Sequence, residues 1–167
     1  MDTSVRWKYG HEHFVNLYKM AANGSIAPIV LCDSSGHSIL AATNPHMYEY
    51  LWIKPNEAQI LMRGASLMYI QKTATAMKIL KWLVLCALEE DCLAPVNSYL
   101  SCSFGDDNWS KYGNCHRFDQ SAINILLANQ YNHNQSYYSP WAVNRISGVA
   151  RIDRFPDEHA EKICTRQ

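Results

Sequence analysis

Ionisable side chains are concentrated at residues 116–120 (HRFDQ), directly before an apolar run that continues to Leu127. A carboxylate at the mouth of a helix can hold a hydroxyl group by a hydrogen bond or accept its proton, and a guanidinium group matches the geometry of phosphate. Asp119 is therefore a candidate catalytic residue. His116, Arg117 and Gln120 are candidate substrate-binding residues.

The same residues also fit a purely structural role. Asp is favoured at the N-cap position, so Asp119 predicts the start of a helix that runs to about Asn129, and Arg117 would then only pair with it. Cys115 beside His116 is a conceivable thiol nucleophile, but sequence neighbours seldom form a working dyad because the two groups must meet in space.

Asp2 is the second candidate catalytic carboxylate, at a predicted strand end beside the hydroxyl groups of Thr3 and Ser4. Hard oxygen donors of this kind suit a divalent cation or a ribose, so Asp2 is also the candidate metal ligand. Arg6 follows closely and is a candidate binding residue for phosphate.

Several common catalytic motifs are absent from the sequence. There is no Gly-x-Ser-x-Gly, Walker or Gly-x-Gly-x-x-Gly segment, so serine hydrolases, P-loop nucleotidases and Rossmann dehydrogenases lack their signals. The seven histidines are scattered, and His11 and His13 are two residues apart rather than four, which does not fit a zincin helix.

Composition favours one ordered domain. The chain has 167 residues, of which 48% are apolar and 18% are charged. Fifteen basic and fifteen acidic side chains give a net charge of zero. A dedicated nucleic-acid-binding protein would show a basic excess or stripe, so no nucleic-acid partner is expected.

Six cysteines are present, four of them between residues 86 and 115, with no Cys-x-x-Cys pair. This spacing speaks against a zinc ribbon and favours one or two disulfides in that region, although buried free thiols are the alternative. Three glycosylation sequons, at Asn23, Asn108 and Asn134, give mild support for the secretory route.

No targeting or membrane segment is recognisable. The first residues lack the basic start and apolar run of a signal peptide. The longest apolar stretch, Ile79 to Leu88, is interrupted by Lys81, so no membrane span is expected. Luminal chemistry without a targeting signal predicts that the chain is a fragment of a longer protein.

Hydrophobic periodicity and turn signals predict the elements that position these residues. Helices are expected over His11–Ala22, from about Pro45, over Thr73–Glu90 and from Asp119. The Thr73–Glu90 helix is apolar over most of its circumference and should be largely buried. Strands are expected at Ile26–Cys32, Ser38–Ala42, Ala58–Met62 and Ser66–Ile70, with a turn at residues 33–36.

Two long segments lack periodicity. Residues 92–114 form an irregular connection that cysteines could staple. Residues 131–141 are polar and aromatic, which suits a lid, a sugar-binding loop or a solvated loop with a few packed rings. Residues 1–155 are expected to form the single domain, and residues 156–167 a polar tail.

Four segments together resemble a nematode-expanded animal family of glycosyltransferase-A-like proteins that carries only a domain-of-unknown-function label. The segments are residues 2–7 (DTSVRW), 43–51 (TNPHMYEYL), 81–89 (KWLVLCALE) and 116–124 (HRFDQSAIN). The resemblance covers residues 2 to about 155, and the last two segments are its most specific parts.

The resemblance implies an α/β domain with a mixed sheet flanked by helices, like the C-terminal half of a glycosyltransferase-A (nucleotide-diphospho-sugar transferase-like) fold. Family members look like type II membrane proteins of the secretory pathway lumen or Golgi membrane. By this likeness Asp2 stands at the acidic motif that holds a divalent cation such as manganese, and Asp119 and Gln120 at the acceptor side. Ser4 stands where a second Asp is usual.

The implied function is glycosyl transfer from a nucleotide sugar to a glycan or protein acceptor, with an inactive truncated chain left open. A second hypothesis is a luminal or secreted carbohydrate-binding pseudoenzyme, since the nucleotide-binding half of the fold is missing from this chain. A third is a disulfide-stapled structural protein without a ligand.

Overall fold

The computed structural model describes residues 11–139 of the chain. Its elements, in chain order, are helix α1 (His11–Ala22), strand β1 (Ile29–Ser38), a 3₁₀ helix (Pro45–Glu49), strand β2 (Leu61–Ile70), helix α2 (Ala74–Leu88), helix α3 (Phe118–Gln130) and helix α4 (Gln135–Tyr138). Helices and a small sheet confirm that the fold combines helices and strands, but the two described strands pair antiparallel, so the expected mixed sheet is not found among these residues. Asp2, Arg6 and the polar tail lie outside the described residues.

The helix boundaries follow local signals in the sequence. Helix α1 has the predicted bounds and ends before Gly24, whose φ of +77° suits glycine at a helix end. Helix α2 begins after Thr73, whose side-chain oxygen accepts a hydrogen bond of 3.1 Å from the Ala76 N–H. It ends at Leu88 with Glu89 at the C-cap, so the acidic residues 89–91 follow the helix directly and lie next to the negative end of its dipole.

The strand predictions were wrong in their boundaries. Strands β1 and β2 pair antiparallel over ten residues each, with Ile29 opposite Ile70 and Ser38 opposite Leu61. The expected turn at residues 33–36 instead lies inside β1, where register shifts and a positive φ at Gly36 absorb the irregular sequence. Residues 63–65 likewise continue β2 rather than separating two strands.

Helices cover both faces of the sheet. Successive side chains of a strand point to opposite faces, so each face presents its own apolar residues to a helix. On one face, Val30 and Tyr69 pack against Leu17 of α1. On the other face, Ile29 and Leu31 join a buried cluster whose remaining members are Ala27, Ala76, Ile79, Ile123, Leu127 and Tyr138. Helices α2 and α3 therefore cover the second face.

Helix α2 is less buried than its composition predicted. Only Ala76, Ile79 and Cys86 are buried, and an apolar face remains exposed. The exposed apolar side chains are Met77, Trp82, Val84, Leu85 and Leu88. Among the described residues, α2 therefore packs along one narrow stripe. The prediction that this helix is largely buried, made from its many apolar residues, was wrong.

Helix α3 is attached to the sheet through a buried amide. The Asn124 side chain accepts a hydrogen bond of 2.8 Å from the Arg63 N–H and donates one of 2.8 Å to the Arg63 carbonyl. Asn124 thus pairs with β2 as another strand would. It also donates to the Gln120 carbonyl one turn earlier, at 2.8 Å.

Two disulfides, Cys86–Cys92 and Cys102–Cys115, hold the irregular segment between α2 and α3. The prediction of one or two disulfides in this region is confirmed. They fit an oxidising, secretory-type environment, because such bonds are rare where thiols are kept reduced. The second disulfide also fixes the chain next to His116, at the start of α3.

Replacing Asn124 by Ala should lower the free energy of unfolding by roughly 2–4 kcal/mol, because the N–H and carbonyl of Arg63 lose their partners in the core. Asn129 on the same helix is the matched control. It is exposed and makes one hydrogen bond, to the Trp52 carbonyl. Asn129→Ala should cost less than about 1 kcal/mol. Equal costs in urea denaturation would contradict the role assigned to Asn124.

Peptide mapping of non-reduced protein from a secretory host should recover both disulfide pairs. Cys102→Ser/Cys115→Ser should lower stability by about 3 kcal/mol, and Cys86→Ser/Cys92→Ser by about 2 kcal/mol, because the first loop is longer. Free thiols at these four positions in folded, secreted protein would rule out the oxidised fold.

Candidate functional site

Helix α3 begins one residue earlier than predicted, and Asp119 is not its N-cap. The N-cap is Arg117, without a capping side chain, and the helix starts at Phe118. Asp119 lies in the first turn, where the helix dipole favours a negative charge. Its side chain is exposed and makes no hydrogen bond or ion pair with the part of the chain that the structure describes.

Phe118 turns the chain sharply into the helix. Its φ of +43° lies in the left-handed region, which bulky residues rarely adopt and which costs of order 1–3 kcal/mol. Its ring packs against the His116 ring, with the centroids 5.0 Å apart. The surrounding structure therefore imposes a defined direction on the first turn that carries Asp119.

His116 is fully buried and has a structural role. Its Nδ1 accepts a hydrogen bond of 3.1 Å from the Asn44 N–H, so its Nε2 carries the proton and donates to the Leu93 carbonyl at 3.1 Å. Burial lowers the pKa of His116, and the hydrogen bond to Leu93 opposes that shift. Both ring nitrogens are used, so this geometry leaves His116 to position neighbouring segments.

The segment before the 3₁₀ helix also supports the start of α3. The Arg117 N–H donates to the Ala42 carbonyl at 3.2 Å. Thr43 Oγ1 donates to Ser121 Oγ at 3.0 Å, and this hydroxyl donates in turn to the Ala42 carbonyl at 3.3 Å. Ser121 carried no signal in the sequence, because the position of a serine within a helix does not reveal whether its hydroxyl group faces solvent or a backbone carbonyl.

Arg117, Asp119 and Gln120 share the first turn, as the sequence predicted for neighbouring residues. Arg117 is partly buried, and its Nε has no hydrogen-bond partner among the described residues. The pKa of His37 is lowered mainly by burial and further by the nearby Arg117 charge. The start of α3 thus has a cation and an exposed carboxylate on a fixed backbone. Asp2 and Arg6 cannot be placed beside it, because both lie outside the described residues.

Among the side chains that the structure describes, no group of three or more His, Cys, Asp or Glu is arranged to hold an ion. The predicted metal ligand, Asp2, lies outside the described residues.

An open groove of about 460 Å³ lies near the other end of α3. Its walls include Trp52, Trp82, Asn129 and Gln130. Trp52 is 65% exposed and Trp82 is 50% exposed. Rings beside amide groups suit carbohydrate, whose apolar faces pack on rings while its hydroxyl groups bind amides. The sequence did not single out this groove, because its rings are thirty residues apart.

The polar, aromatic segment 131–141 is partly packed into the core. Tyr138 is fully buried, and burial raises its pKa to about 12. Tyr131 stacks on Tyr137 with ring centroids 5.7 Å apart. The described part of this segment therefore contains packed rings. Trp141 lies outside the described residues.

Comparison with known proteins identifies no relative. No protein family, curated protein or solved structure matches the chain. Separately, none of the helices within residues 11–139 is long and apolar enough to cross a membrane. The family resemblance read from the sequence therefore stays an expectation.

The free energy of unfolding should fall as the pH decreases below about 6.5. The pKa of His116 is lowered in the folded state, so the unfolded state binds the proton more readily. The stability that comes from keeping His116 neutral is fully present above the unfolded-state pKa of about 6.5. As the pH falls below that value, this stability is lost by at most about 1.4 kcal/mol per pH unit. His37 adds an effect of the same sign.

His116→Asn removes the titrating ring and keeps an acceptor for the Asn44 N–H. Urea denaturation between pH 7 and 5 should then show a smaller slope than in the wild type. An unchanged slope, or an NMR titration that finds the wild-type His116 ring protonated at pH 6.5, would refute a neutral His116.

Proposed function

We propose that this chain is the acceptor side of a glycosyltransferase-A-like protein of the secretory pathway lumen or Golgi membrane. The parent protein transfers a glycosyl unit from a nucleotide sugar to a hydroxyl group of a glycan or protein. The observation that carries the proposal is the exposed Asp119 carboxylate on a helix start that is otherwise anchored in the core.

Asp119 has the properties that an acceptor-side carboxylate needs. It is accessible, and its helix is fixed by Asn124 and Ser121, so its position is defined before a substrate arrives. In the proposed mechanism Asp119 orients or deprotonates the acceptor hydroxyl. Arg117 and Gln120 position the acceptor, while His116 holds the loop below them.

The donor would lie on the side of Asp2 and Arg6. A carboxylate and a guanidinium group suit a sugar diphosphate, directly or through a cation such as manganese, which would supply charge neutralisation at the phosphates. Since Asp2 lies outside the described residues, no step of the proposal passes through a cation. The acceptor-side roles of Asp119, Arg117 and Gln120 do not depend on it.

The proposed compartment is supported by two independent features. Both disulfides suit an oxidising lumen. The three sequon asparagines, Asn23, Asn108 and Asn134, are all exposed, as a glycan would require.

The second candidate function is carbohydrate binding without turnover. The groove with Trp52 and Trp82 favours it, because this groove offers rings and amides and no paired carboxylates. Asp119 precedes Asn129 by ten helical residues, so the two places are about 15 Å apart along α3. Variants at one place therefore report on that function alone.

Calorimetry with nucleotide sugars, glycan binding and donor turnover separate the two functions. Under the transfer proposal, Asp119→Asn should lower turnover about a hundredfold and leave glycan binding in place. Asp106→Asn, an exposed carboxylate in a loop, is the matched control and should change neither.

Under the binding proposal, Trp82→Ala should weaken glycan affinity about tenfold. A folded chain that binds glycan but no nucleotide sugar would refute transfer by this chain and support binding. A chain that binds neither would refute both proposals.

A further inference from the structure

Arg63 is a mostly buried cation near the start of strand β2. Its exposed fraction is 7%, and its backbone N–H and carbonyl are both held by Asn124. Leu61-Met62-Arg63 reads as an apolar strand with one charge, which is the only sequence signal for this position.

The guanidinium group is only partly satisfied within the described residues. One Nη donates a hydrogen bond of 2.9 Å to Gln135 Oε1, while Nε is buried without an acceptor. Gln135 is itself oriented, because its Nε2 donates to the Leu61 carbonyl at 2.5 Å. Among the residues whose side chains the structure describes, no carboxylate forms an ion pair with Arg63 within 4.0 Å.

Burial lowers the pKa of Arg63, but a guanidinium group stays charged in proteins. A buried charge without a partner destabilises a fold by several kcal/mol. Such a group is retained where an anion can reach it, so its surroundings matter.

Arg63 lines an open cavity of about 440 Å³. The other walls include Trp109, His133, Gln135 and Ser136. The Nε2 of His133 is buried without a hydrogen-bond partner among the described residues, and the nearest carboxylate oxygen, of Glu57, is 3.9 Å away. Glu57 is itself paired with Lys54 at 3.4 Å, which reduces its repulsion of an anion.

Trp109 forms a pre-positioned ring at this cavity. Its carbonyl accepts a hydrogen bond of 2.5 Å from Ser38 Oγ, and its N–H donates to Asp107 Oδ1 at 2.9 Å. Asp107 also accepts hydrogen bonds from the Ser110 hydroxyl and the Ser110 N–H. These hydrogen bonds lower the pKa of Asp107 to about 2, and the one from the hydroxyl has the largest effect. Trp109 is 41% exposed, which leaves part of its surface available to pack on a ligand.

We propose that this cavity binds an acidic sugar, meaning a monosaccharide ring that carries a carboxylate or a phosphate. The anion pairs with Arg63 and Gln135, since guanidinium geometry matches both groups. The sugar ring packs on Trp109, as rings with an apolar face do. The proposal needs neither glycosyl transfer nor the start of α3, so either can fail independently.

The test uses the whole chain, with any N-glycans trimmed because Asn108 is next to Trp109 and Asn134 lines the cavity. Calorimetry with glucuronate, glucose 6-phosphate, inorganic phosphate and glucose compares the ligands. At least one acidic sugar should bind at least about tenfold more tightly than glucose, since a charge-assisted hydrogen bond is lost with the neutral sugar. Preference between glucuronate and glucose 6-phosphate identifies the anionic group.

Gln135→Glu places a carboxylate next to Arg63 and should weaken binding of the acidic sugar at least about tenfold, without removing the arginine from the core. Trp109→Ala should weaken the acidic sugar by a similar factor and leave inorganic phosphate unchanged. Arg63→Gln, used where its thermal transition is unchanged, should remove the preference for acidic sugars over glucose.

Three results would overturn the proposal. The first is equal affinity for glucose and the acidic sugars. The second is acidic-sugar binding that Gln135→Glu leaves unchanged. The third is no binding by folded wild-type protein, which would mean that the guanidinium group is satisfied within the chain.

Discussion

The pairing of Asn124 with the backbone of Arg63 is the interaction on which the rest of the structure depends. A strand has free N–H and carbonyl groups where its partner strand is irregular, and a helix cannot normally satisfy them. Here one amide side chain does so, at 2.8 Å in both directions. This pairing fixes α3 against β2. It therefore helps to position the first turn of α3, which carries Asp119, and the segment of β2 that carries Arg63.

The loop before α3 is fixed by a second set of polar contacts. His116 joins Leu93 to Asn44, and Cys115 is bonded to Cys102. Leu93 and Phe104 of this loop also pack against the core, so hydrogen bonds and a disulfide add to apolar contacts there. These contacts hold Phe118 in its strained left-handed conformation, and that conformation sets the direction of the first helical turn.

The proposed functions use different parts of this framework. Transfer depends on an accessible carboxylate at one end of α3, and carbohydrate binding on exposed rings at the other end. The Arg63 cavity lies on the strand side and adds a mostly buried guanidinium group. Asp119 and the rings of Trp52 and Trp82 are exposed on backbone that regular or capped structure holds, and Arg63 lines a cavity beside a strand.

The sequence alone determined the elements whose signals are local. Periodicity and caps defined α1 and α2 within about two residues, and cysteine spacing identified the region of the disulfides. These succeeded because a helix satisfies its own hydrogen bonds within one segment. The residues 117–120 were also recognised as a unit, since neighbours in sequence share a turn.

Only the tertiary structure decided which polar residues are used internally. His116 was predicted to bind substrate, but it is buried and links two backbone segments by hydrogen bonds. The sequence contained no signal that pointed to Arg63, Asn124 or Trp82. The strand boundaries failed for the same reason, since a strand is completed by a partner thirty residues away and bulges can absorb a Gly turn. Burial and hydrogen-bond satisfaction are properties of the packed chain, and no local pattern encodes them.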